Sequence, residues 1–109
     1  MNRGAIVIVS IGGGLGKPRP ALIVQTDDWM GTKTVLVAPF TSDIPGDMLL
    51  RPVFEPSSEN GLRDRSALMV DKITPARWAD IGDVAGRLSN DDMERVEVAM
   101  QMILGILRA

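Results

Sequence analysis

Neither cysteine nor histidine occurs among the 109 residues. The first absence excludes a disulfide framework, a thiol nucleophile and a zinc–thiolate site. The second removes the usual general base near neutral pH and the commonest metal ligand. Acid–base chemistry is left to arginine, lysine, carboxylates and hydroxyls. Aromatics are scarce, with two tryptophans, two phenylalanines and no tyrosine, so platforms for stacking a planar ligand are few. No apolar run approaches the roughly 18 residues of a membrane helix, and the N-terminus lacks the basic-then-apolar build of a signal peptide. No membrane partner is expected, and a cytoplasmic location is the default. Bulk charge is also lacking: net −2 with a pI near 5.0 gives no field that attracts nucleic acid. Such a ligand needs a local basic patch. Arg3, Lys17, Arg19, Lys33, Arg51, Arg63 and Arg65 fall in the first two-thirds of the chain, where one can form.

What is present suits one folded domain spanning residues 1–109, with 45% hydrophobic and 24% charged residues. The stretch Gly16-Lys17-Pro18-Arg19-Pro20-Ala21-Leu22-Ile23-Val24-Gln25 organises it. Pro18 and Pro20 fix their own φ, and each drives the residue before it out of the helical region, so Lys17 and Arg19 are held extended. Glycines at 12–14 and 16 precede them, and an apolar strand follows. A cation clamped at the mouth of a strand beside a bare-backbone loop suits an anion such as phosphate. The plain alternative is a hairpin punctuated by prolines, with Arg19 a solvated surface charge.

Taken in order, residues 3–10 are rich in β-branched side chains and predict a first strand, with a second at 21–26. Residues 27–32 form a turn in which Trp29 is read as a lid over the core. A third strand covers 34–39 and ends at Phe40, Thr41 and Ser42. After a turn at 43–47 comes a fourth strand, 48–54, interrupted by Pro52. Residues 55–64 read as an exposed, mobile loop, and 66–72 as a fifth strand. Pro75 after Thr74 predicts a single helical turn over 73–78, and 81–88 a short last strand weakened by Gly82 and Gly86. The helix from Ser89 to about Leu107 is the clearest element. Ser89 with Asp92 resembles a capping box, and Met93, Val96, Met100, Ile103 and Leu107 form one apolar face. Val98, Met102 and Ile106 form a second row, which favours a homodimer or partner interface. The sum is a small, mainly β barrel of about five to six antiparallel strands with a short helical turn and a C-terminal helix.

The ordered set resembles the MazF/PemK toxins, the ribonucleases of type II toxin–antitoxin modules. The resemblance rests on Arg3-Gly4-Ala5-Ile6-Val7, on Gly16-Lys17-Pro18-Arg19-Pro20-Ala21-Leu22-Ile23-Val24, and on Ala38-Pro39-Phe40-Thr41-Ser42. Ser66-Ala67-Leu68-Met69-Val70-Asp71-Lys72-Ile73 with Thr74, and Gly86-Arg87-Leu88-Ser89, complete it. It covers almost the whole chain. It implies an SH3-like barrel of the CcdB/Kid/MazF kind, a homodimer, and sequence-specific cleavage of single-stranded mRNA without metal or other cofactor. The 2′-hydroxyl of the RNA attacks the adjacent phosphorus and leaves a cyclic phosphate and a 5′-hydroxyl. The family's arginine falls on Arg19 and its threonine on Thr41. Arg19 is assigned to stabilising the charged transition state and Thr41 to orienting the phosphate.

Some relatives carry an arginine and an aspartate on the fifth strand and a histidine near the N-terminus. Here Asp71 matches the aspartate, Met69 stands in the arginine's place, and there is no histidine. Asp71 is therefore either a base or a structural partner for a barrel N–H. Lys17, Gly14, Gly16, Ser42, Phe40, Ser66 and Lys72 are expected to line the RNA groove, with Phe40 also a core candidate. The implied protein partner is a MazE-like antitoxin whose disordered, acidic and apolar tail folds across that groove. Two other readings stay open: a CcdB-like toxin that binds DNA gyrase and cuts nothing, and a catalytically inactive interaction module.

Overall fold

In the computed structural model, which describes residues 2–10, 17–44, 46 and 49–106, alternation along the strands builds two apolar layers. The elements are β1 (Ala5–Val9), β2 (Arg19–Ile23), β3 (Thr34–Thr41), β4 (Val53–Phe54), β5 (Ser66–Leu68), β6 (Thr74–Arg77), β7 (Ile81–Arg87) and α1 (Asn90–Ile103). Every pairing is antiparallel, in the order β4-β5-β3-β2-β1-β7, with β6 alongside the first half of β3. One side of this curled half-barrel buries Ile6, Leu22, Ala38 and Phe40 against Phe54, Leu68 and α1. The other buries Val7, Val9, Ala21, Ile23, Val35 and Val37 beneath Ala76 and Trp78. Strands buried on both faces read as continuous apolar runs, which is why residues 5–9 and 21–24 hold almost no polar residue.

β3 is the spine. One of its edges pairs with β2; the other pairs first with β6, through Thr34 to Val37, and then with β5, through Phe40 and Thr41. Pro39 marks the change of partner. It has no N–H to offer, and its carbonyl accepts from Met69 N at 2.9 Å.

Several expectations change on contact with the structure. Residues 74–77 form an edge strand, flanked by single 3-10 turns at Val70–Lys72 and Trp78–Asp80. Pro75 tolerates this because an edge position does not require its missing N–H. The fifth strand stops at Leu68, so Asp71 and Lys72 lie on a turn. The fourth strand keeps only Val53–Phe54 after Pro52. Trp29 is 71% exposed and covers nothing; the half-buried Trp78 packs on that layer instead, its indole Nε1 donating to Thr32 O at 2.8 Å. Residues 55–64 are not simply exposed, since Asn60 and Leu62 are buried.

The helix starts as expected, with Ser89 Oγ accepting from Asp92 N at 3.1 Å. It ends earlier, because Gly105 adopts φ +74 and Ile106 N turns back to Gln101 O at 2.8 Å, a glycine C-cap. Met93, Val96 and Ala99 are buried, while Val98 and Ile106 remain 44% and 74% exposed. The readings placed on residues 11–16, including Gly14 and Gly16, and on Pro45, Asp47, Met48 and Leu107 lie outside the described residues.

Candidate functional site

The site starts at the common end of β2 and β3. Their ladder runs Ala21↔Pro39, Leu22↔Ala38 and Ile23↔Val37. Continued toward the sheet end, this register sets Pro20 across from Phe40 and Arg19 across from Thr41. The two residues that the motifs single out, nineteen and forty-one along the chain, thus sit at the same end of two neighbouring strands.

A cleft of about 530 Å³ opens there. Pro18, Arg19 and Pro20 line it, together with Phe40 and the exposed Ser42. Phe40 is itself a core residue, 2% exposed and edge-on to Phe54 at 6.3 Å between ring centroids. Only its margin borders the opening, so it is not a free stacking platform. A second wall is the segment from Gly61 to Asp64, with Ser66 also lining the cleft. Ser66 Oγ donates to Asp64 O at 2.8 Å, which fixes that hydroxyl.

That second wall is held by a buried amide and two glycines. Asn60 Oδ1 accepts from Ser57 N and Leu62 N, each at 3.0 Å, and its Nδ2 donates to Glu55 O at 2.9 Å. Arg87 N donates to Glu59 O at 2.8 Å, so the segment docks along β7. The contact is backbone against backbone. A Cβ on Gly61, at φ +67, would lie 2.0 Å from Ala85 O, and one on Gly86 would lie 2.3 Å from Glu59 O. Gly86, one of the two glycines that weaken residues 81–88 as a strand, is what lets the loop seat there. Two irregularities in the β1–β7 register accompany this contact.

The expected site residues divide into groups. Arg19, Phe40, Ser42 and Ser66 come together in the cleft. Thr41, one residue out of phase with Phe40 and Ser42, does not line it; its Oγ1 accepts from Asp43 N at 3.1 Å. Asp71 lies with Arg51 in a two-pronged ion pair, Nε to Oδ1 at 2.9 Å and Nη2 to Oδ2 at 2.8 Å. Those hydrogen bonds from Arg51 outweigh partial burial and hold the Asp71 carboxyl below its ordinary value. The same hydrogen bonds raise the pKa of Arg51. A carboxylate held in this way is a weakened proton acceptor. Lys17 and Lys72 are exposed and border the cleft at neither wall. Arg63 and Asp64 do border it, although the sequence marked Arg63 only as one of several basic residues. The nearest signal was the Asn60-Gly61 turn just before, after which Leu62 is buried and Arg63 and Asp64 stay exposed at the rim.

The fold has clear counterparts. A mycobacterial endoribonuclease solved in complex with its cognate antitoxin superposes with a TM-score of 0.83 at 20% identity, covering 100% of this chain and 99% of that one. A MazF from Deinococcus radiodurans superposes at 0.76, with 20% identity and 96% of each chain covered. At such identities the likeness is one of fold.

Sequence takes the comparison further. A protein of Mycolicibacterium smegmatis named "Probable endoribonuclease MazF" is 40% identical over 107 residues, which are 97% of this chain and 98% of that protein. The profile of the PemK-like, MazF-like toxins of type II toxin–antitoxin systems matches residues 2–104, and the chain belongs to that family.

Proposed function

We propose that this toxin is an endoribonuclease that cuts single-stranded RNA at the cleft between Arg19 and the 61–64 segment, and thereby stops translation and growth. The observation that carries the reading is the state of Arg19. It lines the cleft, and among the described residues no carboxylate or carbonyl engages its guanidinium. An unengaged guanidinium is available to two phosphate oxygens at once. The 40% identity to a named endoribonuclease over nearly the whole of both chains supports the same reading.

In the proposed reaction the 2′-hydroxyl of the RNA attacks the adjacent phosphorus. The P–O5′ bond breaks, leaving a 2′,3′-cyclic phosphate on one fragment and a 5′-hydroxyl on the other. Negative charge gathers on the equatorial oxygens, where Arg19 stabilises it. Thr41 lies behind the cleft lining, but its hydroxyl, which accepts from Asp43 N, keeps its own proton. We assign that proton to orienting the phosphate beside Ser42, the neighbouring donor that does line the cleft. Because Arg51 engages both oxygens of Asp71, we assign that carboxylate to holding the 70–72 turn against the segment that carries Arg51. No step is routed through a metal, since arginine and hydroxyl donors supply the charge stabilisation.

The partner proposed for regulation is an antitoxin with a disordered acidic and apolar tail that covers the cleft, in keeping with the antitoxin complex of the mycobacterial fold relative. The exposed Val98 and Ile103 of α1, with Ile106 just past its end, are assigned to a homodimer. A sedimentation mass near 11.8 kDa at micromolar concentration would remove that assignment. No helix among the described residues is long and apolar enough to cross a membrane, and the cytoplasm, where mRNA is met, is the proposed location.

The chemical test is an RNA carrying a single 2′-deoxy nucleotide at a mapped cut. Transesterification requires that cleavage stop there and continue elsewhere. Cleavage that persists at the deoxy position excludes the mechanism.

A further inference from the structure

Arg19 is not alone in lacking an acceptor. Arg3 pairs with Glu97, Arg51 with Asp71, Arg65 with Glu55, Arg77 with Asp80 and Arg95 with Asp92. Arg87 donates to Arg3 O at 3.1 Å. Among the described arginines only Arg19 and Arg63 have no such partner, and both line the same cleft. Asp64 adjoins Arg63 in sequence and borders the cleft too, yet no ion pair joins them, so the Arg63 guanidinium keeps its donors unengaged. The backbone that carries Arg63 is fixed by the Asn60 hydrogen bonds and the Gly61–Ala85 contact. The backbone thus presents Arg63 at the cleft, while its exposed side chain stays unpartnered.

We propose that Arg63 binds a second phosphate of the RNA strand, next to the phosphodiester on which Arg19 acts. This rests on the reading of the cleft as an RNA site. Two like charges facing one opening repel when it is empty, and a strand with a phosphate at every nucleotide relieves both. A phosphate is favoured over a base edge for a geometric reason. Reading a base needs a guanidinium held in one plane by neighbouring acceptors, and Arg63 has none, whereas a phosphate presents oxygens over a wide range of approach. The role is one of holding and registering the strand rather than of chemistry.

The test measures binding of a mixed-sequence 2′-O-methyl RNA, which cannot be cut, from about 50 to about 200 mM salt, beside kcat and KM on the unmodified strand. For Arg63→Ala the expected result is about tenfold weaker binding at the lower salt and a salt slope shallower by about 0.7, the value for one single-strand phosphate contact. KM rises by a similar factor while kcat holds within about twofold. Arg63→Lys recovers most of the loss, because a point charge serves a phosphate. Arg65→Ala removes the same charge two residues away, outside the cleft and paired with Glu55, and changes neither quantity. Equality of Arg63→Ala with Arg65→Ala overturns the proposal. So does a changed cut sequence with an unchanged salt slope, which would make Arg63 a base reader. A wild type that cuts RNA while Arg63→Ala matches it removes only the role of Arg63; a wild type that neither binds nor cuts removes the endoribonuclease reading as well.

Discussion

Arg51 and Arg19 are the same side chain at two ends of one strand neighbourhood, and they are set to opposite tasks. Arg51 spends its whole fork on Asp71, with side chains 24% and 35% exposed, and so ties the segment before β4 to the turn after β5. Arg19 stands in the cleft with its fork unengaged. Phe40, Thr41 and Ser42 sort between the two settings by alternation alone: Phe40 and Ser42 border the cleft, and Thr41 turns to the backbone of Asp43. An engaged guanidinium is architecture, and an unengaged one in a concave site is a demand for an anion.

The largest expected effect breaks this comparison at its functional end. Arg19→Ala should lower kcat by on the order of 10²–10³, as removing one transition-state donor does, with an unchanged melting curve. Arg19→Lys should stay badly impaired, because a point charge cannot reproduce the planar fork. A melting point lowered in step with activity would instead make Arg19 structural.

Next is Gly86→Ala. Its Cβ would meet the Glu59 carbonyl oxygen at 2.3 Å and the Asn60 carbonyl carbon at 2.4 Å. Backbone cannot yield as a side-chain tip can, so about 2–3 kcal/mol of stability should be lost. Cleavage at a permissive temperature should fall too, as the wall that carries Arg63 is displaced. Urea unfolding read beside activity checks both.

Thr41→Val comes third, at about tenfold in rate, the scale of one hydrogen bond to a charged group. Thr41→Ser should stay within about twofold. If valine is neutral for rate and costs only stability, Thr41 is merely the acceptor for Asp43 N.

The smallest effect sharpens the structural end. Asp71→Asn should cost about 1 kcal/mol, since the pair is partly exposed and screened, and should keep the rate within about threefold. Arg51 holds the Asp71 carboxyl below its unfolded value. The contribution of the pair is therefore complete at neutral pH and begins to fade as acid takes the solution below about pH 4. It is gone once the folded-state carboxyl has protonated. Wild type and Asp71→Asn should converge in stability on acidification, and a gap that stays constant contradicts this. A large loss of rate at neutral pH would restore Asp71 as a base.

Most of the sheet and the helix start were legible because local chemistry decides them. β-branched runs made β1 and β3, and Ser89 with Asp92 marked the cap. The end of α1 was legible in Gly105 but was overridden by apolar spacing. Pro75 misled because a fixed φ near −65° serves a first helical turn and an edge strand equally well, and only the free edge of β3 decides between them. In the site, Arg19 stood out because two prolines bracket it. Arg63 did not, because its standing depends on which arginines find carboxylates, and those partners lie up to 94 residues away, as with Arg3 and Glu97. The partner of Asp71 was hidden for the same reason: Arg51 was read within a strand over 48–54, and nothing in that reading points to a carboxylate 20 residues further on.

The most direct measurement is the cleavage of a long mixed-sequence single-stranded RNA in EDTA by wild type, Arg19→Ala and Arg51→Ala, with the new ends sequenced. Wild type and Arg51→Ala should cut at the same short recurrent sequence at rates within about threefold, and Arg19→Ala should leave the strand intact. Equal cutting by Arg19→Ala, or a loss confined to Arg51→Ala, would place the chemistry away from the unengaged arginine and contradict the site described above.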